Sequence, residues 1–163
     1  MSKMVELKKI TDDNMDECIE LEVREDQPFV AGNMYSLADA YVSISNGAHA
    51  TPYAIYAGDV MVGFIMYDYR EISTDDTFGE TCYHLWRFMV DKNHQGKGYG
   101  KQAAKKIIAE IKTMPYGKAD YIYLSYEPEN TVVKTLFASL GFEETDMKFD
   151  EECDEIIARL KIS

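Results

Sequence analysis

Along the first half of the chain, the hydrophobic positions have helical spacing in some segments and are typical of strands in others. A helical stretch carries Met15, Cys18, Ile19 and Leu21 on one side, whereas residues 60–69 are rich in β-branched and aromatic side chains. The predicted elements are a strand over 4–9, a helix capped by Thr11, a short helix opened by a Ser36–Asp39 capping box, and a hairpin of 53–57 and 60–69 around Gly58-Asp59.

The second half predicts strands that alternate with helices. The predicted elements are a long strand over 81–91, a glycine-rich loop over 95–100, a helix with its apolar side at Ala103, Ala104, Ile107, Ile108 and Ile111, a strand over 121–126, a helix over 131–140 ended by Gly141, and a hairpin of 142–145 and 155–161. This order indicates an α/β fold with one mixed central sheet flanked by helices. With no linker or repeat in the chain, we expect one domain over 1–163.

The charge balance changes the set of expected partners. Seventeen Lys and Arg residues stand against 29 Asp and Glu residues, for a net charge of −12. Such a surface repels nucleic acids and anionic lipids and attracts polycations, although acidity also serves solubility alone. The first residues lack the apolar stretch of a secretory signal, and no apolar run is long enough to span a bilayer, so we expect a cytoplasmic protein without membrane contact.

The metal-ligating residue types are scattered. No two cysteines or histidines have ligand spacing, so the sequence predicts reduced thiols and no metal; these residues are Cys18, Cys82, Cys153, His49, His84 and His94.

The glycine-rich loop, QGKGYG over 95–100, lies between a predicted strand and a predicted helix. Glycines let backbone N–H groups approach an anion, and a helix N-terminus adds partial positive charge. The spacing fits neither a P-loop nor a dinucleotide fingerprint. Lys97 and Lys101 flank the loop in an otherwise acidic protein, which favours pyrophosphate binding over a turn without a ligand.

At this point the chain resembles a known superfamily. The loop matches the [Q/R]xxGx[G/A] motif of the GNAT acetyl-CoA-dependent N-acetyltransferases, and YLSYEPENTVVKTLFASLGFE over 123–143 resembles their second signature. Segments 29–41, 53–69, 86–101 and 123–130 are most similar to bacterial spermine/spermidine (diamine) acetyltransferases. The resemblance covers essentially the whole chain and implies a splayed central strand pair, acetyl-CoA as cofactor and a homodimer as one form of assembly.

The resemblance also implies which residues hold the cofactor. The splayed strand would present its backbone to the pantetheine arm, the glycine loop would hold the pyrophosphate, and an Asn would bond to the arm. The residues at the matching positions are Phe88, Met89, Val90, Gln95, Gly96, Lys97, Gly98, Tyr99, Gly100, Lys101 and Asn130. Lys134 could meet a phosphate or could be an ordinary exposed helix lysine.

Amine acetylation needs a base, because an alkyl ammonium with a pKa of about 10.4 must lose its proton. The resemblance points to His84, eleven residues before Gln95, and period-two spacing places it on the same strand face as Phe88. The alternative is a half-exposed strand histidine without a role. Where many relatives have an acidic tyrosine this chain has Phe137, so Tyr126, water or another tyrosine would protonate the leaving thiolate.

A polycationic acceptor requires carboxylates and aromatic faces. The candidates are Glu22, Glu25, Asp26, Tyr35, Trp86 and Glu127. We expect acetyl transfer to a primary amine of a polyamine by direct attack in a ternary complex, since Cys82 has no evident activating partner. Two alternatives stay open: acetylation of a protein amine or an aminoglycoside, and a coenzyme A-binding domain with little turnover.

Overall fold

The computed structural model describes residues 3–163. Its strands are β1 (Val5–Lys9), β2 (His49–Ala57), β3 (Val60–Arg70), β4 (Cys82–Val90), β5 (Tyr121–Tyr126), β6 (Glu143–Glu144) and β7 (Ile156–Lys161), and its helices are α1 (Met15–Glu20), α2 (Asn33–Ser45), α3 (Tyr99–Ile111) and α4 (Thr131–Ser139). One sheet has the order β1-β2-β3-β4-β5-β7-β6, in which β4 and β5 run parallel and the other neighbours antiparallel. The predicted mixed sheet with a terminal hairpin is confirmed.

Helices cover both faces of the sheet. On one face α3 buries the five apolar residues that its spacing predicted, together with Phe137 of α4. On the other face Cys18 of α1 and Ala40 of α2 pack against Phe64 and Met66 of β3. The sheet is therefore the middle of three layers, and its central strands are buried on both sides.

The central strands β4 and β5 separate soon after they meet. They pair only through Tyr83 with Ile122 and His84 with Tyr123, although β4 continues to Val90. Beyond His84 the edge of β4 that faces β5 has no strand partner among residues 3–163. The backbone groups on that edge are left for another partner, so the splayed strand pair is confirmed.

The pairing of β3 with β4 contains a β-bulge. Leu85 lies opposite Tyr67, but the next pair is Arg87 with Met66, so Trp86 is an extra residue on β4. An extra residue bends the strand and changes which side chains share a face.

This bulge overturns the expectation that His84 and Phe88 share a face. His84 lies opposite Asp68, and Phe88 lies opposite Ile65. Ile65 and Asp68 are three positions apart on a regular part of β3. Residues an odd number of positions apart on a regular strand point to opposite faces. His84 therefore faces the side covered by α1 and α2, whereas Phe88 faces α3 and α4, where it packs against Phe137.

Two predicted helix starts are wrong. Helix α1 begins at Met15, because the carbonyl of Thr11 accepts the N–H groups of Asn14 and Met15 and so closes a turn before the helix. Helix α2 begins at Asn33 instead of at the predicted capping box. Ser36 lies within its first turn on the buried face, where its hydroxyl cannot cap.

The C-terminal part follows its prediction closely. Helix α4 ends at Ser139, and Gly141 has φ +97°, the left-handed conformation expected after a helix.

Strand β2 begins at His49, four residues before its predicted start. Pro52 lacks an N–H and therefore argues against a strand at this position. It lies before Tyr53, the first residue that pairs with β1, so no hydrogen bond between β1 and β2 is lost.

A half-buried carboxylate, that of Glu110, joins α3 to the sheet. Glu110 accepts hydrogen bonds from the hydroxyls of Tyr53 (2.8 Å) and Tyr67 (2.6 Å). Glu110→Gln is expected to lower the free energy of unfolding by about 1–3 kcal/mol, because the amide offers one acceptor oxygen where the carboxylate offers two, and one phenol hydrogen loses its acceptor. Urea denaturation measures this. Glu129→Gln, at an exposed loop position, is the matched control, and equal losses in the two variants would contradict the prediction.

Candidate active site

Two glycines of the loop have a backbone conformation that residues with side chains rarely adopt. Gly96 has φ +77° and Gly98 has φ +82°, and Gly98 is the residue that precedes α3. A Cβ atom at either position meets no protein atom within 4 Å, so both face open space. Glycine is required there by the backbone angles, and the space beside it is free for a ligand.

The loop presents unused donors to that space. Within residues 3–163, the backbone N–H groups of residues 95–101 have no hydrogen-bond acceptor. The first N–H groups of a helix point along its axis and carry the positive end of its dipole. Together these groups form a site suited to a phosphate or pyrophosphate.

A cleft of about 540 Å³ runs from this loop along the splayed edge of β4. It collects most of the residues predicted to hold the cofactor: Phe88, Met89, Val90, Gln95, Gly96, Gly98, Tyr99, Gly100, Lys101 and Asn130. Lys97 is exposed outside the lining, and the Lys134 ammonium lies 3.4 Å from a Glu144 carboxylate oxygen. We call this space the cofactor cleft.

Side-chain bonds fix the loop at the mouth of the cofactor cleft. Gln95 donates to the carbonyl of Val90 (2.9 Å) and to the side-chain oxygen of Gln27 (2.8 Å). Buried Asp91, which sequence reasoning missed, accepts the N–H of Glu22 (3.0 Å) and so ties the segment after α1 to the end of β4. Its signal is an acidic residue directly between a buried strand and a glycine loop. Asn130 accepts the N–H of Val133 and caps α4.

A second cavity of about 390 Å³ adjoins the cofactor cleft, and both are lined by Phe88 and Asn130. Of the predicted catalytic and acceptor residues, it contains His84, Trp86 and Tyr126. Because β4 and β5 diverge here, the cavity passes through the sheet and reaches side chains of both faces. We call it the acceptor cavity.

His84 is held by a chain of charged groups. Its Nδ1 lies 3.1 Å from Asp68 Oδ1, and Asp68 Oδ2 accepts from the Arg70 guanidinium at 3.0 Å. A carboxylate that accepts on both oxygens places the hydrogen on Nδ1 and leaves Nε2 as an acceptor. Burial lowers the pKa of His84 below its ordinary 6.5, against the opposing effect of Asp68, because water no longer stabilises the imidazolium. At neutral pH the ring is an uncharged base.

Tyr126 and Phe137 line the acceptor cavity from the opposite face. The Tyr126 hydroxyl donates to Glu144 at 2.6 Å. Burial, reinforced by that carboxylate, raises the pKa of Tyr126 far above its usual range. Phe137 is buried between Phe88 and Phe142 and carries no acidic hydrogen. The proton of Tyr126 is therefore directed at a carboxylate.

Trp86 lines the acceptor cavity and lies close to two guanidiniums. Arg70 lies 5.7 Å and Arg87 5.3 Å from its ring centroid, within cation–π range. Arg70 is also paired with Asp75 and Arg87 with Asp39, each at 3.0 Å. The ring that sequence reasoning expected to meet a ligand cation already contacts cations of the protein.

The other predicted acceptor residues lie outside the acceptor cavity. Glu22 and Glu25 line a separate hollow of about 330 Å³ beside the segment after α1, and Glu22 is paired with Lys92 at 2.9 Å. Tyr35 is 65% exposed on α2. Asp26 pairs with Arg24, and Glu127 is exposed after β5.

Four charged residues of the acceptor cavity and its surroundings escaped the sequence reasoning: Asp68, Arg70, Arg87 and Glu155. Asp68 belongs to a predicted hairpin, and only the register of β3 against β4 identifies it as the partner of His84. No local motif marks any of the four.

Two absences concern residues 3–163 alone. No group of three or more His, Cys, Asp and Glu side chains is placed to hold a metal ion. None of the helices described is long and apolar enough to pass through a bilayer.

The chain is similar to known proteins in both sequence and fold. Residues 9–142 match the family described as "Acetyltransferase (GNAT) family". The "Spermine/spermidine N(1)-acetyltransferase" of Bacillus subtilis strain 168 is 30% identical over 141 residues, which covers 85% of this chain and 88% of that protein. The "Probable spermine N(1)-acetyltransferase" of B. subtilis subsp. natto strain BEST195 has the same identity and coverage.

Solved structures share the fold at low identity. The PaiA N-acetyltransferase of Thermoplasma acidophilum, in complex with coenzyme A, aligns with a TM-score of 0.67 and 14% identity over 96% of this chain and 98% of that one. An acetyltransferase of Salmonella typhimurium, described as modifying the N-terminal serine of ribosomal protein L7/L12, aligns with a TM-score of 0.72 and 11% identity over 99% of this chain and 97% of that one. At these identities, the two matches show that the chain shares its fold with both proteins.

Proposed function

The chain belongs to the acetyltransferase (GNAT) family, and we propose that this N-acetyltransferase acts on a primary amine of a polyamine, with His84 as the base. One observation carries the proposal: the imidazole held by Asp68 lines a cavity that adjoins the cofactor cleft. The two curated relatives, both described as spermine acetyltransferases, support the acceptor class. The net charge of −12 also favours a cationic acceptor.

The residues present fit acetyl-CoA. The unpaired N–H groups of 95–101 suit its pyrophosphate, and the positive φ of Gly98 keeps a side chain out of that space. The free edge of β4 beyond His84 suits the amide groups of an extended arm, in the manner of an added strand. When bound, acetyl-CoA supplies an acetyl group activated as a thioester. The backbone of Phe88–Val90 would hold that group by donating hydrogen bonds.

His84 supplies the proton transfer. An acceptor amine reaches the site as an ammonium, and its nitrogen attacks only after losing a proton. Nε2 of His84 is the acceptor, directly or through one water. Asp68 holds the ring in the required tautomer and stabilises the imidazolium that forms, and Arg70 donates to the other oxygen of Asp68. No acyl-enzyme is needed, since burial raises the pKa of Cys82 to about 12 and keeps it protonated.

The proton required at the leaving sulfur has a less obvious source. Phe137 cannot supply it, and the Tyr126 hydroxyl is bonded to Glu144. Water that enters the acceptor cavity is therefore the proposed donor. A coenzyme A thiolate leaves readily enough for catalysis to proceed without a dedicated acid.

Thiol release from acetyl-CoA tests the proposal, with spermine, spermidine, a basic peptide and an aminoglycoside assayed side by side. We expect saturable turnover with the two polyamines. Turnover with the peptide or the aminoglycoside alone would replace the acceptor class and leave the transferase intact. Coenzyme A binding without turnover of any of the four amines would contradict the proposed function.

A further inference from the structure

Within the described part of the chain, residues 3–163, Glu155 is the one carboxylate that lines the acceptor cavity. It lies just before β7, whose Ile157 is paired with Ser125 of β5. The Ser125 hydroxyl lies 3.5 Å from Glu155 Oε1, which places the carboxylate over the same face of the sheet. That face is also the one of His84, because Tyr123 lies opposite His84 and two positions before Ser125.

Among the residues that the structure describes, the charges that line this cavity have a partner of opposite charge, with one exception. Arg70 is paired with Asp68 and Asp75, and Arg87 with Asp39. Glu155 has no cationic side chain within 4 Å among residues 3–163; its neighbours are the Ser125 hydroxyl and, at 3.7 Å, the Cys153 thiol. A partly buried carboxylate without a counter-charge favours a cation brought by the ligand.

The spacing suits a molecule with two charged nitrogens. Tyr123, the partner of His84, and Ser125 lie two positions apart on β5, a rise of roughly 7 Å along the strand. This rise is comparable with the length of the alkyl chains between polyamine nitrogens. The walls near this path include the aromatic rings of Phe78 and Phe149, which suit methylene groups.

We propose that Glu155 binds a second ammonium group of the acceptor, one that does not react. In this way it selects di- and polyamines over monoamines. This assignment rests on the proposed function, since it takes the nitrogen at His84 to be the reacting one. Glu155 acts as a specificity determinant and takes no part in proton transfer.

Glu155→Gln tests the assignment with spermidine and with n-butylamine as acceptors. We expect kcat/KM for spermidine to fall between about 10-fold and 100-fold, the size of a lost charge-assisted hydrogen bond, mainly through KM. The value for n-butylamine should change less than about twofold. Glu152→Gln, an exposed position three residues earlier, makes the same charge change and should leave both values unaltered.

Binding of spermidine to the coenzyme A complex, measured by calorimetry, separates two kinds of failure. If no amine is acetylated but Glu155→Gln still weakens spermidine binding tenfold or more, the proposed function fails and the cation site stands. If spermidine is acetylated and neither its KM nor its Kd responds to Glu155→Gln, the cation site is overturned. Equal losses for spermidine and n-butylamine would also overturn it, because Glu155 would then act on the reacting nitrogen.

Discussion

Replacing His84 with alanine is expected to lower kcat for polyamine acetylation by roughly 10²–10⁴-fold, the usual contribution of a positioned base. Within residues 3–163, two groups that line the acceptor cavity could take up a proton, the His84 imidazole and the Glu155 carboxylate. Asp68 keeps its bond to Arg70 in the variant, so no buried carboxylate is left unpaired. Steady-state thiol release at saturating acetyl-CoA measures the change.

The pH dependence identifies how His84 acts. The base works only when neutral, and burial places its pKa below 6.5, so kcat/KM of the native protein should rise with pH through a limb below 6.5 and then level off. In His84→Ala this limb should vanish. The rate should instead climb toward the amine pKa of about 10.4, because only the free amine then reacts.

His49→Ala is the control for His84→Ala. His49 is exposed at the start of β2 and stacks on Tyr116, away from both the cofactor cleft and the acceptor cavity. Its loss should leave the pH profile as it is. An acidic limb that survives in His84→Ala would exclude the histidine from proton transfer and reduce it to a structural role.

The second large effect is expected at the glycine loop. Gly98→Val should weaken coenzyme A binding by roughly 10-fold to 100-fold, because the new side chain enters the open space in which the proposed site holds the pyrophosphate. It also strains a residue at φ +82°. Isothermal calorimetry with coenzyme A measures affinity directly and needs no acceptor.

The fold supplies a matched control for that strain. Gly47 has φ +83° and likewise meets no atom within 4 Å of an added Cβ, but it follows α2 and lines neither the cofactor cleft nor the acceptor cavity. Gly47→Val should reproduce the loss of stability and leave the coenzyme A affinity unchanged. Equal affinities for the two variants would mean that the loop does not bind the pyrophosphate.

The predictable parts of this protein are those in which local sequence determines local structure. The five apolar positions of α3 and the glycines before it follow from spacing and backbone preference, and the structure places them as predicted. The mixed sheet follows from the order of strands and helices. The cofactor cleft is formed largely by these elements, so most of its predicted residues lie together there.

The acceptor cavity depends on relations between distant segments, and here the sequence is a poorer guide. The bulge at Trp86 has no local signature, yet it decides that His84 and Phe88 point to opposite faces. Asp68 and Glu155 reach the cavity from strands far from His84 in the chain. Acidic residues selected by their closeness to the first helix, such as Glu22 and Asp26, are instead paired with lysine or arginine at the surface.

Trp86 is the single tryptophan of the chain, among twelve tyrosines. Its indole lies close to two guanidiniums in the wall of the acceptor cavity. Light absorbed selectively by tryptophan is therefore emitted from one known place in the molecule, next to charges whose arrangement a bound cation would disturb. If the acceptor binds as proposed, tryptophan emission would report its binding without an added label, from a residue outside the cofactor cleft.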